Sequence, residues 1–209
     1  MLDVHAPESG IHGVRDFLIH LLTITAGLLI AIALEQSVEA LHHRHQRNEA
    51  DVEIRQEMRE NRDEVVRRQA TLQGEMKDLV NVLGAIDARL AKQPVDGSKQ
   101  NIQLSTGPLN DAAWRTAMAT GVVAYMDYGT VEEFAACYKE QEQYEHMEDE
   151  AIKAYLNIES FVAMKKPNEL SDEELRAAQP AVRQALANLE ALRDISSGVV
   201  EAYDKALGK

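Results

Sequence analysis

Eighteen consecutive residues, Phe17 to Leu34 (FLIHLLTITAGLLIAIAL), contain no Asp, Glu, Lys, Arg or Pro. At ~1.5 Å of rise per residue, a helix of that length spans ~27 Å, close to the ~30 Å hydrocarbon core of a bilayer. Eleven of the eighteen are Phe, Leu or Ile. Each contributes roughly −0.3 to −0.6 kcal/mol on an insertion scale, a gross drive of ~3 to 7 kcal/mol from which His20, Thr23 and Thr25 subtract. The stretch therefore predicts a transmembrane helix over 17–35 whose partner is membrane lipid. A cleaved secretory signal competes with this reading, but the basic n-region is missing. Glu35, Gln36 and Ser37 also run straight into helix-forming sequence without a small-x-small cleavage site. A buried core helix is the other competitor, and the length of the uncharged run argues for a span.

One side of this helix differs from the rest. Asp16, His20, Thr23, Gly27, Ala31 and Glu35 recur at spacings of three and four and so share a stripe. Within it His20, Thr23, Gly27 and Ala31 form a helix-packing face, because small residues let a second helix approach where lipid supplies no hydrophobic drive. An ionisable group inside a span is a functional candidate by default. His20, however, lies one turn inside the boundary, where an imidazole reaches the interface, and packing is preferred over chemistry.

The remainder has the composition of helices. Aromatic residues are 5% of the chain and glycine and proline are sparse, which excludes a sheet-rich fold and predicts an all-α class. The single cysteine, Cys137, excludes an intrachain disulfide. Of the net charge of −13, residues 36–92 carry eleven acids against ten bases and residues 93–209 twenty against eleven. A distal half this acidic excludes nucleic acid as a partner, since a phosphate backbone demands a basic surface. The acidic run Glu140, Glu142, Glu145, Glu148, Asp149, Glu150 reads as a solvated helix face and not as a metal site.

Taken in order, residues 1–16 form a short interfacial segment broken by Pro7, Gly10 and Gly13. From residue 36 to 93 a long stalk helix is predicted, with no proline before Pro94. It opens on a membrane-surface collar, His42, His43, Arg44, His45 and Arg47, whose charges suit lipid head groups. Glu39 with His43, and His42 with His45, have ligand-like helical spacing. Without a second segment to close a site they are only weak metal candidates, and no metal is assigned.

Ile54, Met58, Asn61, Val65, Arg68 and Leu72 alternate steps of four and three, and Met76, Leu79, Leu83, Ile86 and Leu90 resume after one extra residue. This predicts a heptad seam with a stutter near Leu72, available to a coiled coil or to later helices of the same chain. Asp51–Arg55, Asp63–Arg67 and Glu64–Arg68 are predicted pairs four apart along the helix.

Residues 94–109 are predicted as a loop, and 110–209 as a helical bundle packing on the stalk. Asn110 or Asp111 caps a helix bearing Trp114, the only tryptophan, as a buried packing anchor. Thr130 with Glu133 forms a capping box opening a helix with the stripe Phe134, Cys137, Tyr144, Met147, Ala151, Tyr155, Ile158 and Val162. Lys165, Lys166 and Pro167 close it. A second box, Ser171 with Glu174, opens the last helix, which carries Leu175, Val182, Leu186, Leu189, Leu192, Val199, Tyr203 and Leu207 and a kink at Pro180.

The opening IHGVRDFLIHLLTITAGLLIAIALEQSVEALHHRH, the stretch LNDAAWRTAMATGVVAYMDY and the YKEQEQY helix together resemble a group of small bacterial single-pass inner-membrane proteins with a helical soluble domain. The resemblance implies a bacterial inner membrane. It carries no activity and no functional residues.

No Ser/His/Asp arrangement, glycine-rich phosphate loop or paired-cysteine site is present, so no catalytic residue and no cofactor is assigned, and the chain is not expected to be an enzyme. The expectation is a single-pass anchored protein with an antiparallel helical bundle and a structural or scaffolding role. It would act as a homo-oligomer or as an accessory subunit of a membrane complex, through the span and the stalk. The alternative is a membrane-tethered sensor of pH or metal acting through the juxtamembrane histidines. Arg15 before the span and Arg44 and Arg47 after it lean by one or two charges toward a cytoplasmic domain, a margin that leaves the orientation open.

Overall fold

The computed structural model describes residues 13–95, 103–162 and 169–208. Their regular structure is all helical, with no strand among the described residues, as the composition requires: α1 (Val14–Leu90), α2 (Ala112–Thr120), a short 3-10 helix (Val122–Tyr125), α3 (Tyr128–Val162) and α4 (Asp172–Ala206). The chain divides after Glu49 into two compact units. Lys165, Lys166, Pro167 and most of the first interfacial segment lie outside the described residues.

Helix α1 runs 77 residues because nothing interrupts it. It stops where Lys92 turns to φ 58, with the Lys92 and Gln93 N–H groups donating to Arg89 O and Ala88 O at 2.9 and 2.8 Å. This is the left-handed exit that satisfies a helix's last carbonyls, and Pro94 follows it.

In the unit from Ala50 onward, Ile54, Met58, Val65, Leu72 and Leu79 of α1 are fully buried in the chain's own core. The seam departs from the expected stutter. Glu75 and Val82 are buried while Met76 and Leu83 are only half-buried, so positions 54, 58, 61, 65, 68, 72, 75, 79, 82 and 86 keep one unbroken alternation of four and three. Glu75 holds a core position because it has a buried partner, described below. Only one of the three expected ion pairs forms as predicted: Arg55–Asp51 at 3.1 Å. Asp63 pairs with Arg62 and Glu64 with Arg67, while Arg68 turns inward.

Helices α3 and α4 lie close along their lengths. Buried Ala151, Ala154, Ala178, Ala181 and Ala185 are small enough for the two backbones to approach. Side chains bridge α1 to α4 in falling order, Arg62 to Asp204, Gln69 to Ser196 and Asp87 to Gln179, and Arg89 continues the series to Leu170 O just before α4. They bridge α1 to α3 in rising order: Glu57 to Tyr138, Asn61 to Gln141, Arg68 to Glu148. α4 thus opposes α1, and α3 follows it in the same sense. The segment between α1 and α3 carries the chain back along α1, its Ser105 bonding to Glu75 and its Asn110 to Asn61.

The caps divide into one kept and two corrected. Ser171 and Glu174 form the expected reciprocal box at the start of α4. α3, in contrast, begins at Tyr128, two residues before the predicted Thr130/Glu133 box, because the Asp127 carboxylate accepts from the Thr130 N–H at 3.1 Å. Asp111 occupies the N-cap of α2 without a side-chain bond of its own. Glu57 of α1 accepts from the Ala113 and Trp114 N–H groups at 2.9 and 3.5 Å instead. Gly121 ends α2 at φ 73, a left-handed geometry that glycine adopts without steric cost. Trp114 is half-buried, stacked on Tyr138 at 5.5 Å and edge-on to Phe134 at 6.4 Å.

Cys137 is buried among the core residues, and burial, with Glu140 adding, pushes its thiol up to about 12. Since the thiolate is the reactive form, we expect Cys137 to resist a disulfide-exchange reagent at pH 8 until the protein is unfolded in denaturant. A stoichiometric thiol titration before and after denaturation checks this.

Candidate functional site

Two places in the chain, one in each unit, bear on function. The first is the predicted span and collar. Residues 17–34 are helical and every one is exposed, and this is the one stretch among the described residues long and apolar enough to cross a membrane. Its hydroxyls are satisfied within the helix: Thr23 Oγ1 donates to Ile19 O and Thr25 Oγ1 to Leu21 O, both at 2.8 Å. Such internal bonds remove the cost that an unpaired hydroxyl would carry in hydrocarbon. His20 Nδ1 lies 3.1 Å from Asp16 O. Thr23, Gly27 and Ala31 are exposed, and a Cβ built on Gly27 meets nothing within 4 Å.

In the collar, His43 Nε2 stands 3.5 Å from Glu39 Oε1, the ring of His42 lies 6.1 Å from that of His43, and Arg47 bonds to Asn48. Arg44 and His45 are exposed. Of the weak metal candidates Glu39, His42, His43 and His45, Glu39 and His43 are the two drawn side by side across one helical turn. No group of three or more His, Cys, Asp or Glu suited to a metal ion occurs among the described residues.

The second place is a buried polar row inside the unit from Ala50 onward. Asn61, Arg68 and Glu75, seven residues apart on one face of α1, are 2%, 3% and 7% exposed. Arg68 grips Glu75 with both terminal nitrogens, Nη1 to Oε1 at 3.0 Å and Nη2 to Oε2 at 2.9 Å, and Nη1 also donates to Thr71. Its Nε lies 3.5 Å from Glu148 Oε1 of α3. Glu148 is 7% exposed; it therefore leaves the solvated face on which the acidic run was expected to lie, although Glu142 and Asp149 stay there.

A second cluster lies one heptad earlier. Asn61 Nδ2 donates to Gln141 Oε1 at 3.2 Å and to Asn110 O at 2.6 Å. Tyr203 of α4 donates to the same Gln141 oxygen at 2.7 Å, and Tyr138 donates to Glu57 at 2.6 Å. Burial above all, reinforced by neighbouring acids, drives the Tyr138 and Tyr203 hydroxyls up, which keeps both neutral and able to donate.

The sequence reading does not single out Glu57, Glu75 or Gln141, and it places Glu148 only in the acidic run. One signal was available: Asn61, Arg68 and Glu75 repeat a polar residue at the same heptad position three times, the pattern of a buried polar row. Apart from Arg68 Nε and Glu148 Oε1, which face each other at 3.5 Å without a hydrogen bond, the groups are matched donor to acceptor, and none stands as a nucleophile beside a base, so the arrangement is suited to holding helices in register. No protein-family model, no curated protein and no solved structure matches the chain.

Burial raises the Glu148 carboxyl, while the Arg68 charge and the Gly107 backbone amide pull it back down. A group raised in the folded state binds its proton more tightly there than in the unfolded chain. Its stabilising contribution is full below the usual carboxylate range and is lost as pH rises through the folded value. We expect the stability of Glu148→Gln relative to the native chain to fall as pH drops from 7 to 5, read from paired urea titrations at each pH. Removing the shared cation is a different perturbation. Arg68→Ala leaves Glu75 and Glu148 buried without it, and should cost about 3 to 5 kcal/mol in the same urea assay at pH 7.

Proposed function

We propose that this chain is a single-pass, membrane-anchored helical protein with a structural role. In this reading residues 17–35 hold it in a bacterial inner membrane, α1 continues as a stalk, and α1, α3 and α4 form a bundle in which α4 is antiparallel to α1. The His20, Thr23, Gly27 and Ala31 face packs against another helix, of a second copy or of a larger complex in which the chain is an accessory subunit. The observation that carries the reading is the run of eighteen uncharged helical residues, all exposed, whose threonine hydroxyls bond within the helix. A soluble core helix would have covered such a run. The seam of the stalk is already occupied by the chain's own helices, which leaves the span as the face open for association. The collar His42, His43, Arg44, His45 and Arg47 suits head groups at the surface.

The test uses the full chain expressed in bacteria. Native protein should remain in the membrane pellet after an alkaline carbonate wash. Leu22→Arg combined with Ile30→Arg costs ~5 to 7 kcal/mol of insertion, about the whole gross drive, and should abolish retention. Extraction of the native chain by carbonate would overturn the anchor. For association, the detergent-extracted particle should exceed one chain by gel filtration with mass spectrometry and shrink in Gly27→Leu. A monomeric native particle would overturn self-association while leaving the anchor intact.

A further inference from the structure

The segment that returns from α1 to α2 is held in an unusual way. Ser105 N–H donates to Glu75 Oε1 at 2.9 Å, Asn110 N–H to Asn61 Oδ1 at 2.9 Å, and Asn110 O accepts from Asn61 at 2.6 Å and from Gln141 at 3.2 Å. The Gly107 amide stands against Glu148. Gly107 itself is buried so tightly on α1 that a Cβ there would collide with the Glu64 side chain. Every one of these contacts is made by a side chain of α1 or α3 to the backbone of the segment. Its own side chains contribute little, since Ser105, Thr106, Pro108 and Asn110 are exposed and only Leu104 and Leu109 are half-buried against the core.

From this we propose that residues 103–111 are a releasable clasp over the polar row of α1, opening as a local unit while α3 and α4 stay packed. The energetics favour opening on that scale. The clasp buries little apolar surface, and segments with few apolar contacts open at free energies well below that of global unfolding. Closure also keeps Arg68, Glu75 and Glu148 away from water, at a desolvation cost their pairing only partly offsets. Opening returns water to those three charges and so recovers part of what the lost hydrogen bonds had contributed. α3 and α4, packed through alanines and fully buried Val182, Leu189 and Leu192, have no such compensation. Closed, the clasp ties α1 to α3 through Asn61, Gln141 and Glu148. Open, it leaves Asn61 and Glu75 free to accept other donors.

Native-state hydrogen exchange on the full-length protein in detergent tests this. The Ser105 and Asn110 amides should exchange at least about tenfold faster than the Ala151 and Leu189 amides, with a weaker dependence on added denaturant. In Glu75→Gln, the Ser105 amide should quicken by about tenfold more than the α3 and α4 amides do. Exchange of clasp and core amides through one common opening would overturn the proposal, as would a Glu75→Gln clasp no faster than the native one. Should that variant fail to fold, limited proteolysis of the native chain decides. Early cleavage within 103–111 that leaves α3–α4 as an intact fragment supports the clasp, and cleavage there only after global unfolding overturns it.

Discussion

The packing of the larger unit depends on the burial of one guanidinium. Arg68 occupies a heptad position that would ordinarily take a leucine, and a lone charge there would make the core untenable. The chain answers with two carboxylates from different directions, Glu75 one heptad along α1 and Glu148 on α3. Each of these acids then needs further donors, and both receive them from the returning segment at Ser105 and Gly107. The position of that segment follows from the arginine as much as from the turn chemistry at Pro94 and Pro108. Apolar burial by Ile54, Met58, Val65 and Leu72 supplies most of the favourable free energy, while the polar row selects which helix lies against which and at what height.

The two units solve the same problem by opposite means. In residues 17–34 each hydroxyl bonds to the carbonyl one turn back, so the helix needs nothing from outside itself. In the larger unit the side chains reach across 80 residues of sequence, as Asn61 does to Gln141. The first arrangement suits a helix surrounded by lipid, where no neighbour is guaranteed. The second suits a bundle whose neighbours are fixed by covalent connection and can be relied on for partners.

Much of this architecture was legible because it rests on periodicity. The stripe of α3 from Phe134 to Ile158, that of α4, the apolar seam of α1 from Ile54 to Leu72 and the Ser171/Glu174 box are all local or period-bound signals, and they hold. The departures have a common cause: a polar residue reads as solvent-facing or as a local cap although its partner lies elsewhere in the fold. The apolar period favours Met76 over Glu75 and so implies a stutter, whereas the structure buries Glu75 and keeps the alternation unbroken. Glu148 reads with Glu142 and Asp149 as a solvated face, although it lies one helical turn from Tyr144 on the buried side. Thr130 and Glu133 matched a box that Asp127 pre-empts from three residues upstream. The capping of α2 by Glu57 could not be read locally, since the acid lies more than fifty residues from the amides it satisfies.

The parallel course of α1 and α3 also bears on synthesis. Asn61 and Arg68 emerge from the ribosome about 80 residues before Gln141 and Glu148, a wait of ~4 to 16 s at ordinary translation rates. Through that interval the seam of α1 has no partner from its own chain, and an all-apolar seam would be free to adhere to neighbouring nascent chains. Asn61, Arg68 and Glu75 interrupt it once per heptad. The residues that later fix the register of the finished bundle therefore also guard the unfinished one against premature association.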